Sequence, residues 1–175
     1  TETVLATIPG KGKYEPAGAV VAELETALFR EKGVSFVERE QIRKILAEHD
    51  LSAASLTDMK SRIRLGQLVH ADVLIFIDGV PKVQEPASRI QVSETSTGVV
   101  LGTGIWENRA LLKNSRPAVL NIRQAMAKRL VPLKDRHILG YLEFRSEESG
   151  RLLDGLANAL GFLVITDLGR VPSIL

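Results

Sequence analysis

The most apolar stretch of the chain, the run from Val73 to Ile77, constrains the fold more than any other feature. Five consecutive apolar residues without alternation are typical of a strand that is buried on both faces. The sequence that leads to it, from Gly33 to Gly79, predicts strand, helix, loop, helix and strand in that order. The chain therefore has an α/β fold, with two or three helices expected on one face of the sheet or at its edges.

The first part of the chain predicts a parallel β-α-β unit. Val4 to Ile8 is a short strand, and a helix is expected from Pro16 to Lys32, with Gly33 as its C-terminal cap. A strand beginning at Val34 follows. A strand, a helix and a second strand in this order predict parallel pairing with a right-handed crossover.

Two further helices and a meander follow. Ile42, Ile45 and Leu46 share a face of the first helix, and the second carries its apolar residues at Met59, Ile63, Leu68 and Val69. Gly66, which lowers helix propensity, indicates a close approach of that helix to the sheet. Arg89–Thr95 alternates as a half-exposed strand would, Thr97-Gly98 is the expected turn, and Val99–Trp106 is the returning strand.

A last helix is predicted to begin near Ser115, which is a good N-cap residue. Its apolar face is expected to consist of Val119, Ile122, Met126 and Leu130. The sheet as a whole is therefore mixed: a parallel start is followed by an antiparallel meander, and helices flank it.

The last forty residues resemble the first forty. A strand at 137–142, a polar loop, a helix with Leu153 and Leu156, and a strand at 162–165 repeat the opening pattern at an offset of about 130 residues. We therefore predict one α/β domain over 1–136 and the start of a second, similar repeat over 137–175. The alternative is that these strands extend the first sheet.

Charge is concentrated in one segment. The net charge is +2, yet residues 1–108 carry −3 while residues 109–136 carry +7, with Asp135 as their only acid. The absence of cysteine excludes disulfides and thiol catalysis. No run approaches the length of a membrane span.

Five residues are the candidate partner-binding positions. Arg116, Arg123 and Lys134 fall at spacings of seven and eleven, which would place them on one flank of the last helix. Arg89 lies on a strand that is expected to be an exposed edge. Trp106, close to Arg109, could form a stacking platform. The basic flank is either a binding stripe for an anionic partner or a solvated helix face.

No catalytic constellation emerges. Glu38 and Glu40 could form a carboxylate pair, but helix capping together with an ion pair from Arg39 explains them more simply. The loop at 10–13 lacks the spacing of a phosphate loop, and His49, His70 and His137 lack metal-ligand spacing. We expect no enzyme activity, no cofactor, no metal and no small-molecule substrate.

Two motifs carry a resemblance to a known family. The sequence Val-Glu-Arg at 37–39 follows a strand, and Gly66 to Ala71-Asp72 precedes one. With their surroundings, roughly residues 3 to 136, they resemble the curli-secretion-channel (CsgG) family. They are also similar to the outer-membrane lipoprotein activators of peptidoglycan synthases and to the amino-terminal domain of the TolB envelope protein. The connections are too short for the membrane hairpins of the curli channel, which makes the soluble periplasmic relatives the closer parallels.

This resemblance implies a non-enzymatic interaction or assembly module of the cell envelope, in the periplasm or associated with the outer membrane. Its partners would be envelope proteins, a homo-oligomer is compatible with it, and a lipid anchor would lie upstream of Thr1. The alternative hypothesis is a nucleic-acid-binding module that uses residues 109–136, although few aromatic residues support it.

Overall fold

The computed structural model describes residues 2–10, 18–49, 59–80, 84–137 and 164. This part of the chain contains five strands and five α-helices, followed by two short 3₁₀ helices. In chain order the elements are β1 (Thr3–Pro9), α1 (Gly18–Phe29), β2 (Val34–Phe36), α2 (Arg39–Glu48), α3 (Met59–Val69), β3 (Val73–Gly79), β4 (Ala87–Glu94), β5 (Val100–Glu107), α4 (Asn108–Lys113) and α5 (Arg116–Ala127), followed by 3₁₀ turns at Lys128–Leu130 and Leu133–Asp135.

The strands form one mixed sheet in the order β2-β1-β3-β4-β5. β1 lies parallel to both β2 and β3, whereas β3, β4 and β5 form an antiparallel meander. This confirms the predicted fold class, including its parallel start. The β4–β5 turn contains Gly98 at φ +67°, and the Gly98 N–H donates to Glu94 O at 2.9 Å, so the predicted Thr97-Gly98 turn is confirmed.

β3 is buried on both faces, as its unalternating sequence predicts. Val73, Ile75 and Ile77 belong to a core cluster with α1, α4 and α5, while Leu74 and Phe76 belong to a second cluster with α2 and α3. The expectation that helices would cover one face or the edges was therefore wrong, because the sheet has helices on both faces. Neither cluster is available to a partner.

The buried faces of α3 and α5 differ from those predicted. α3 buries Arg62, Leu65, Gly66 and Val69, whereas Met59 is 47% exposed. In α5 the predicted face is confirmed at Val119 and Ile122 and, partly buried against the core, at Met126, but Leu130 is 86% exposed. The reason is that α5 ends at Ala127 and continues as a 3₁₀ helix, whose three residues per turn change the side that each residue faces.

Three further predictions are corrected. The strand that contains Arg89 is not an edge, because β4 pairs with β3 on one side and β5 on the other. Gly33 has φ +75°, but it lies four residues beyond the end of α1 and shapes the turn into β2 instead of capping the helix. Ser115 occupies the N-cap position of α5 without a capping hydrogen bond from its side chain. The short helix α4 was not predicted.

Three predictions lie outside the described residues: most of the loop at 10–13, the helix start at Pro16, and the second repeat over 137–175 apart from His137 and Val164.

Candidate interaction surfaces

An ion-pair network, buried at Arg136 and Glu94 and partly exposed at Arg129 and Asp72, uses two arginines of the basic segment. Arg129 Nη2 lies 3.2 Å from Asp72 Oδ1, and Arg136 Nη1 lies 2.8 Å from Glu94 Oε2. Asp72 Oδ2 also accepts the backbone N–H of Val4 at 2.9 Å. The arginines therefore hold the end of the described chain against β1, β3 and β4, and we assign them to the fold.

The residues of the Gly66–Asp72 motif converge on Thr95 in the β4–β5 turn. The Thr95 hydroxyl donates to the carbonyl of Ala71 at 2.7 Å, and its side chain fills the space beside Gly66. A Cβ atom at Gly66 would lie 2.2 Å from Thr95 Cγ2. The predicted close approach of α3 is thus confirmed, and this motif has a structural role.

The Val37-Glu38-Arg39 motif is structural as well. The Arg39 guanidinium forms an ion pair with Glu25 and so joins the start of α2 to α1. Glu38 precedes α2 without a side-chain capping bond, and Glu40 contacts Arg43 at 3.5 Å on the surface. The ion pair predicted for Arg39 is therefore confirmed, whereas the side-chain cap predicted for Glu38 is not.

Two contacts fix α5 beside α1. The Ser115 hydroxyl donates to Glu23 at 2.9 Å, and Arg123 Nη1 lies 3.1 Å from Glu31 Oε2. From the first pair to the second, the residue number rises by eight in both segments, from Ser115 to Arg123 and from Glu23 to Glu31. α5 therefore runs parallel to α1. One flank of α5 is therefore turned toward α1 and the opposite flank faces the β5 edge.

The remaining surface of α4 and α5 is cationic and partly apolar. The chain from Asn108 to Lys134 contains seven Lys and Arg residues and no Asp or Glu. Leu112 is 48% exposed and Leu120 is 46% exposed. We call the exposed residues of these two helices the α4–α5 outer face; they are Arg109, Leu112, Lys113, Arg116 and Leu120, with Arg123 at the border toward α1.

Its cations differ in their pairing. Within the described ranges, no carboxylate lies within ion-pair distance of Arg109, Lys113 or Arg116, whereas Arg123 has its partner in Glu31. Lys128 is buried, and its burial lowers the pKa of its ammonium group below 10.5. The balance of +7 therefore overstates the charge that is available to a partner.

The five predicted site residues do not share one surface. Arg116 and Arg123 lie on α5, but Lys134 follows the end of that helix and is not part of the same flank. Ile90 packs toward α5, so the adjacent Arg89 faces the other side of the sheet, where it lies 3.4 Å from Asp78. That these residues bind a partner stays a prediction for each of them.

Trp106 is only partly exposed. It packs against the first core cluster, and a Cβ atom at Gly104 would lie 2.1 Å from its ring. The ring therefore lies across Gly104. The use of this ring as a stacking platform stays a prediction.

Sequence reasoning missed Leu112, Lys113 and Leu120 as members of this surface. The concentration of positive charge from Arg109 onward was predicted, but the exposed leucines beside it were not. α4 spans only six residues, which is too short for a helical periodicity to become visible.

Two features are absent from the described residues. These residues contain no group of three or more His, Cys, Asp or Glu side chains arranged to hold a metal ion. None of their helices combines the length and the apolar character that crossing a membrane requires.

No family model and no curated protein matches the chain. Among solved structures, the LpoB C-terminal domain from Salmonella enterica is similar with 21% identity and a TM-score of 0.46, covering 59% of this chain and 80% of that one. An NMR structure of Escherichia coli LpoB has 19% identity and a TM-score of 0.49 over 61% of this chain and 56% of that one. Lipoprotein GNA1162 from Neisseria meningitidis has 14% identity and a TM-score of 0.45 over 68% of this chain and 96% of that one. These similarities leave the function of this chain to be inferred from its own surfaces.

Proposed function

We propose that this chain is a non-enzymatic interaction module that binds an acidic protein surface through the α4–α5 outer face. The observation that carries the proposal is the combination of unpaired cations and exposed leucines in a segment without any acid. Protein interfaces combine apolar anchors with charged groups around them, and arginine is enriched at their energetic centres.

A protein partner fits this surface better than a membrane does. An interfacial helix inserts a continuous apolar face into the lipid boundary. The apolar face of α5, which includes Val119 and Ile122, already packs against the sheet. Two half-exposed leucines remain, which suit a small apolar contact within a protein interface.

A protein partner also fits better than nucleic acid. Affinity for nucleic acid depends on the number of cations that reach phosphates. Arg129 and Arg136 are held by Asp72 and Glu94, and Lys128 is buried. Three of the eight basic side chains on which the nucleic-acid hypothesis depended are therefore unavailable to phosphates.

We place the module in the cell envelope, in the periplasm or at the outer membrane. This location is supported by the resemblance of the Val37–Arg39 and Gly66–Asp72 motifs to the curli-assembly family and its soluble periplasmic relatives. Envelope proteins, including a second copy of the chain, are the partners expected there. Fractionation of the native host tests the location, and recovery of the protein in the cytoplasm would contradict it.

The surface is tested by charge reversal with a matched control. Lys113→Glu/Arg116→Glu changes the charge of the outer face without breaking an ion pair of the described structure. Lys60→Glu/Arg64→Glu makes the same change of charge on the exposed side of α3. A photo-crosslinking residue at Leu120 reports on binding in the native host, and one at Met59, which has a similar exposure, serves as the control position.

We expect a discrete protein adduct from Leu120 that the Lys113→Glu/Arg116→Glu variant loses and the α3 variant keeps. The adduct should also weaken with salt, since the contact is electrostatic. Equal adducts from Leu120 and Met59, or an adduct from Leu120 that survives charge reversal, would overturn the proposed surface.

A further inference from the structure

We infer that the segment Lys128–Arg136, which we call the strap, couples the end of α5 to the first strand of the sheet. The strap opens as one local unit, and its opening loosens the start of β1 while the rest of the sheet stays closed. An event that displaces the strap is thereby passed on to β1. The residues that carry this inference do not belong to the α4–α5 outer face, so it does not rest on the proposed function.

Charged groups, not apolar packing, hold the strap in place. Among its described side chains no apolar one is buried: Leu130 is 86% exposed, Val131 is half-buried and Pro132 is exposed. Two backbone bonds of the strap are local. The Val131 N–H donates to Lys128 O at 3.2 Å, and the Asp135 N–H donates to Pro132 O at 2.8 Å. A segment with so few apolar contacts opens more readily than a core strand does.

Arg136 draws the strap together and ties it to the β4–β5 turn. Its guanidinium donates to the carbonyl of Val131 at 2.7 Å and to that of Arg129 at 2.5 Å. The third nitrogen lies 2.8 Å from Glu94 Oε2. Because one rigid, planar group makes all three contacts, the strap loses its shape and its anchor in the same step.

The Asp72 carboxylate joins the strap to β1. Its Oδ1 lies 3.2 Å from Arg129 Nη2, while its Oδ2 accepts the Val4 N–H at 2.9 Å. Arg129 and Val4 are thus held by the two oxygens of one carboxylate. The Asp72 side chain is 40% exposed, so without Arg129 the carboxylate turns toward water. The Val4 N–H then loses its acceptor for part of the time.

The opposite end of the sheet is fixed by bonds to which the strap does not contribute. There the Gly10 N–H donates to Ile77 O at 2.8 Å, and the Val80 N–H donates to Ala87 O at 2.9 Å. These two amides, which we call the distal amides, exchange when the sheet itself opens. They therefore distinguish a local opening of the strap from unfolding of the whole domain.

The experiment is amide hydrogen exchange by NMR on the full chain and three variants. Arg129→Met keeps the length of the side chain and removes its ion pairs. Arg136→Lys is a milder second variant, which keeps the charge but replaces a rigid fork of three nitrogens by one nitrogen. Arg123→Met is the matched control, because it removes an ion pair of similar length, with Glu31 at 3.1 Å, from the preceding helix.

We expect Arg129→Met to speed up exchange of the Val131 and Asp135 amides by about tenfold, because the strap loses a partly buried ion pair. The Val4 amide should exchange faster as well, since Asp72 links it to Arg129. The distal amides should keep their rates. Arg136→Lys should shift the same amides in the same direction to a smaller extent, and the control variant should change none of them.

Three results would overturn the inference. Unchanged exchange of the strap amides in both strap variants would mean that other contacts hold the strap. Faster exchange of the strap amides with an unchanged Val4 amide would mean that the strap and β1 are not coupled. Equal acceleration of the strap amides and the distal amides would mean that the domain opens as a whole. If Arg129→Met does not fold, Arg136→Lys decides among these outcomes.

Discussion

Glu94 and Arg136 form an ion pair at 2.8 Å although 42 residues separate them, and less than a tenth of either side chain is exposed. Arg136 Nε also donates to Val131 O at 2.7 Å, and the Thr97 hydroxyl donates to the same Glu94 oxygen at 2.8 Å. The pair thus fastens the segment after α5 to the β4–β5 turn. Its loss would release the segment from Val131 to Arg136.

Glu94→Gln should destabilise the domain by about 3 kcal/mol, because removing one partner leaves a buried guanidinium without its counter-charge. Chemical unfolding followed by circular dichroism measures the change. The matched control is Glu40→Gln, whose ion pair with Arg43 is exposed and should contribute little. Equal effects of the two substitutions would contradict the assignment.

A second variant distinguishes the loss of the Glu94–Arg136 ion pair from a general effect of substituting Glu94. Glu94→Gln/Arg136→Met removes both charges together. Replacing a whole buried pair by uncharged groups is often neutral, so the double variant should recover part of the stability lost in Glu94→Gln. Arg136 Nη2 also donates to the carbonyl of Arg129 at 2.5 Å. A double variant that is less stable than Glu94→Gln would show that Arg136 acts mainly through its bonds to the carbonyls of Val131 and Arg129.

Gly66→Ala should destabilise the domain by about 1–3 kcal/mol, as expected when a packed contact receives an extra carbon. The new Cβ would lie 2.2 Å from a Thr95 side chain that is fixed by its bond to Ala71. Gly18→Ala in α1 is the control, since nothing lies within 4 Å of a Cβ there, and it should be neutral or stabilising. A neutral Gly66→Ala in thermal unfolding would refute the close approach.

The sequence predicted the sheet well because strand signals are local. The unalternating run at Val73–Ile77, the alternation around Ile90 and the turn at Gly98 each determine their own element, and the structure confirms all three. The close approach at Gly66 could also be predicted. A glycine inside a helix indicates that another part of the chain packs closely there, even when the sequence does not show that this neighbour is Thr95.

The candidate surface could not be predicted to the same extent, because it depends on which charged side chains form ion pairs within the fold. Arg129 and Arg116 are equivalent in a count of charges, yet one is paired with Asp72 and the other is exposed. Asp72 is 57 residues away from Arg129 in the sequence. The end of α5 at Ala127, which exposes Leu130 and separates Lys134 from the helix, likewise depends on tertiary contacts.

His70→Gly should stabilise the domain by about 0.5–1 kcal/mol. His70 follows α3 with φ +52°, and the Ala71 N–H donates to Gly66 O at 3.0 Å, which together form a Schellman-type helix end. Glycine adopts this left-handed conformation without the steric cost of a side chain. Denaturant unfolding measures the gain.

His49 provides the comparison for this substitution. It ends α2 with φ −102°, a conformation that gives glycine no advantage. His49→Gly should therefore lower the stability slightly, because glycine has more conformational freedom to lose on folding. A gain at both positions would mean that removal of the histidine side chain, not the backbone conformation, is responsible.

The contribution of Lys128 to the stability of the domain should rise with pH in the window just below pH 10.5. Burial lowers the pKa of its ammonium group in the folded state, whereas the unfolded chain keeps a pKa near 10.5. Between these two values the unfolded state binds more protons than the folded state, so the free energy of unfolding increases with pH.

Below the lowered pKa both states are charged, and the folded state carries the cost of a buried ammonium group. Lys128→Met keeps the length of the side chain and removes its titration. The difference in unfolding free energy, wild type minus Lys128→Met, should therefore increase from pH 7 to pH 10.5. Other titrating groups cancel in this difference. A flat or falling difference would show that the environment of Lys128 does not disfavour its charge.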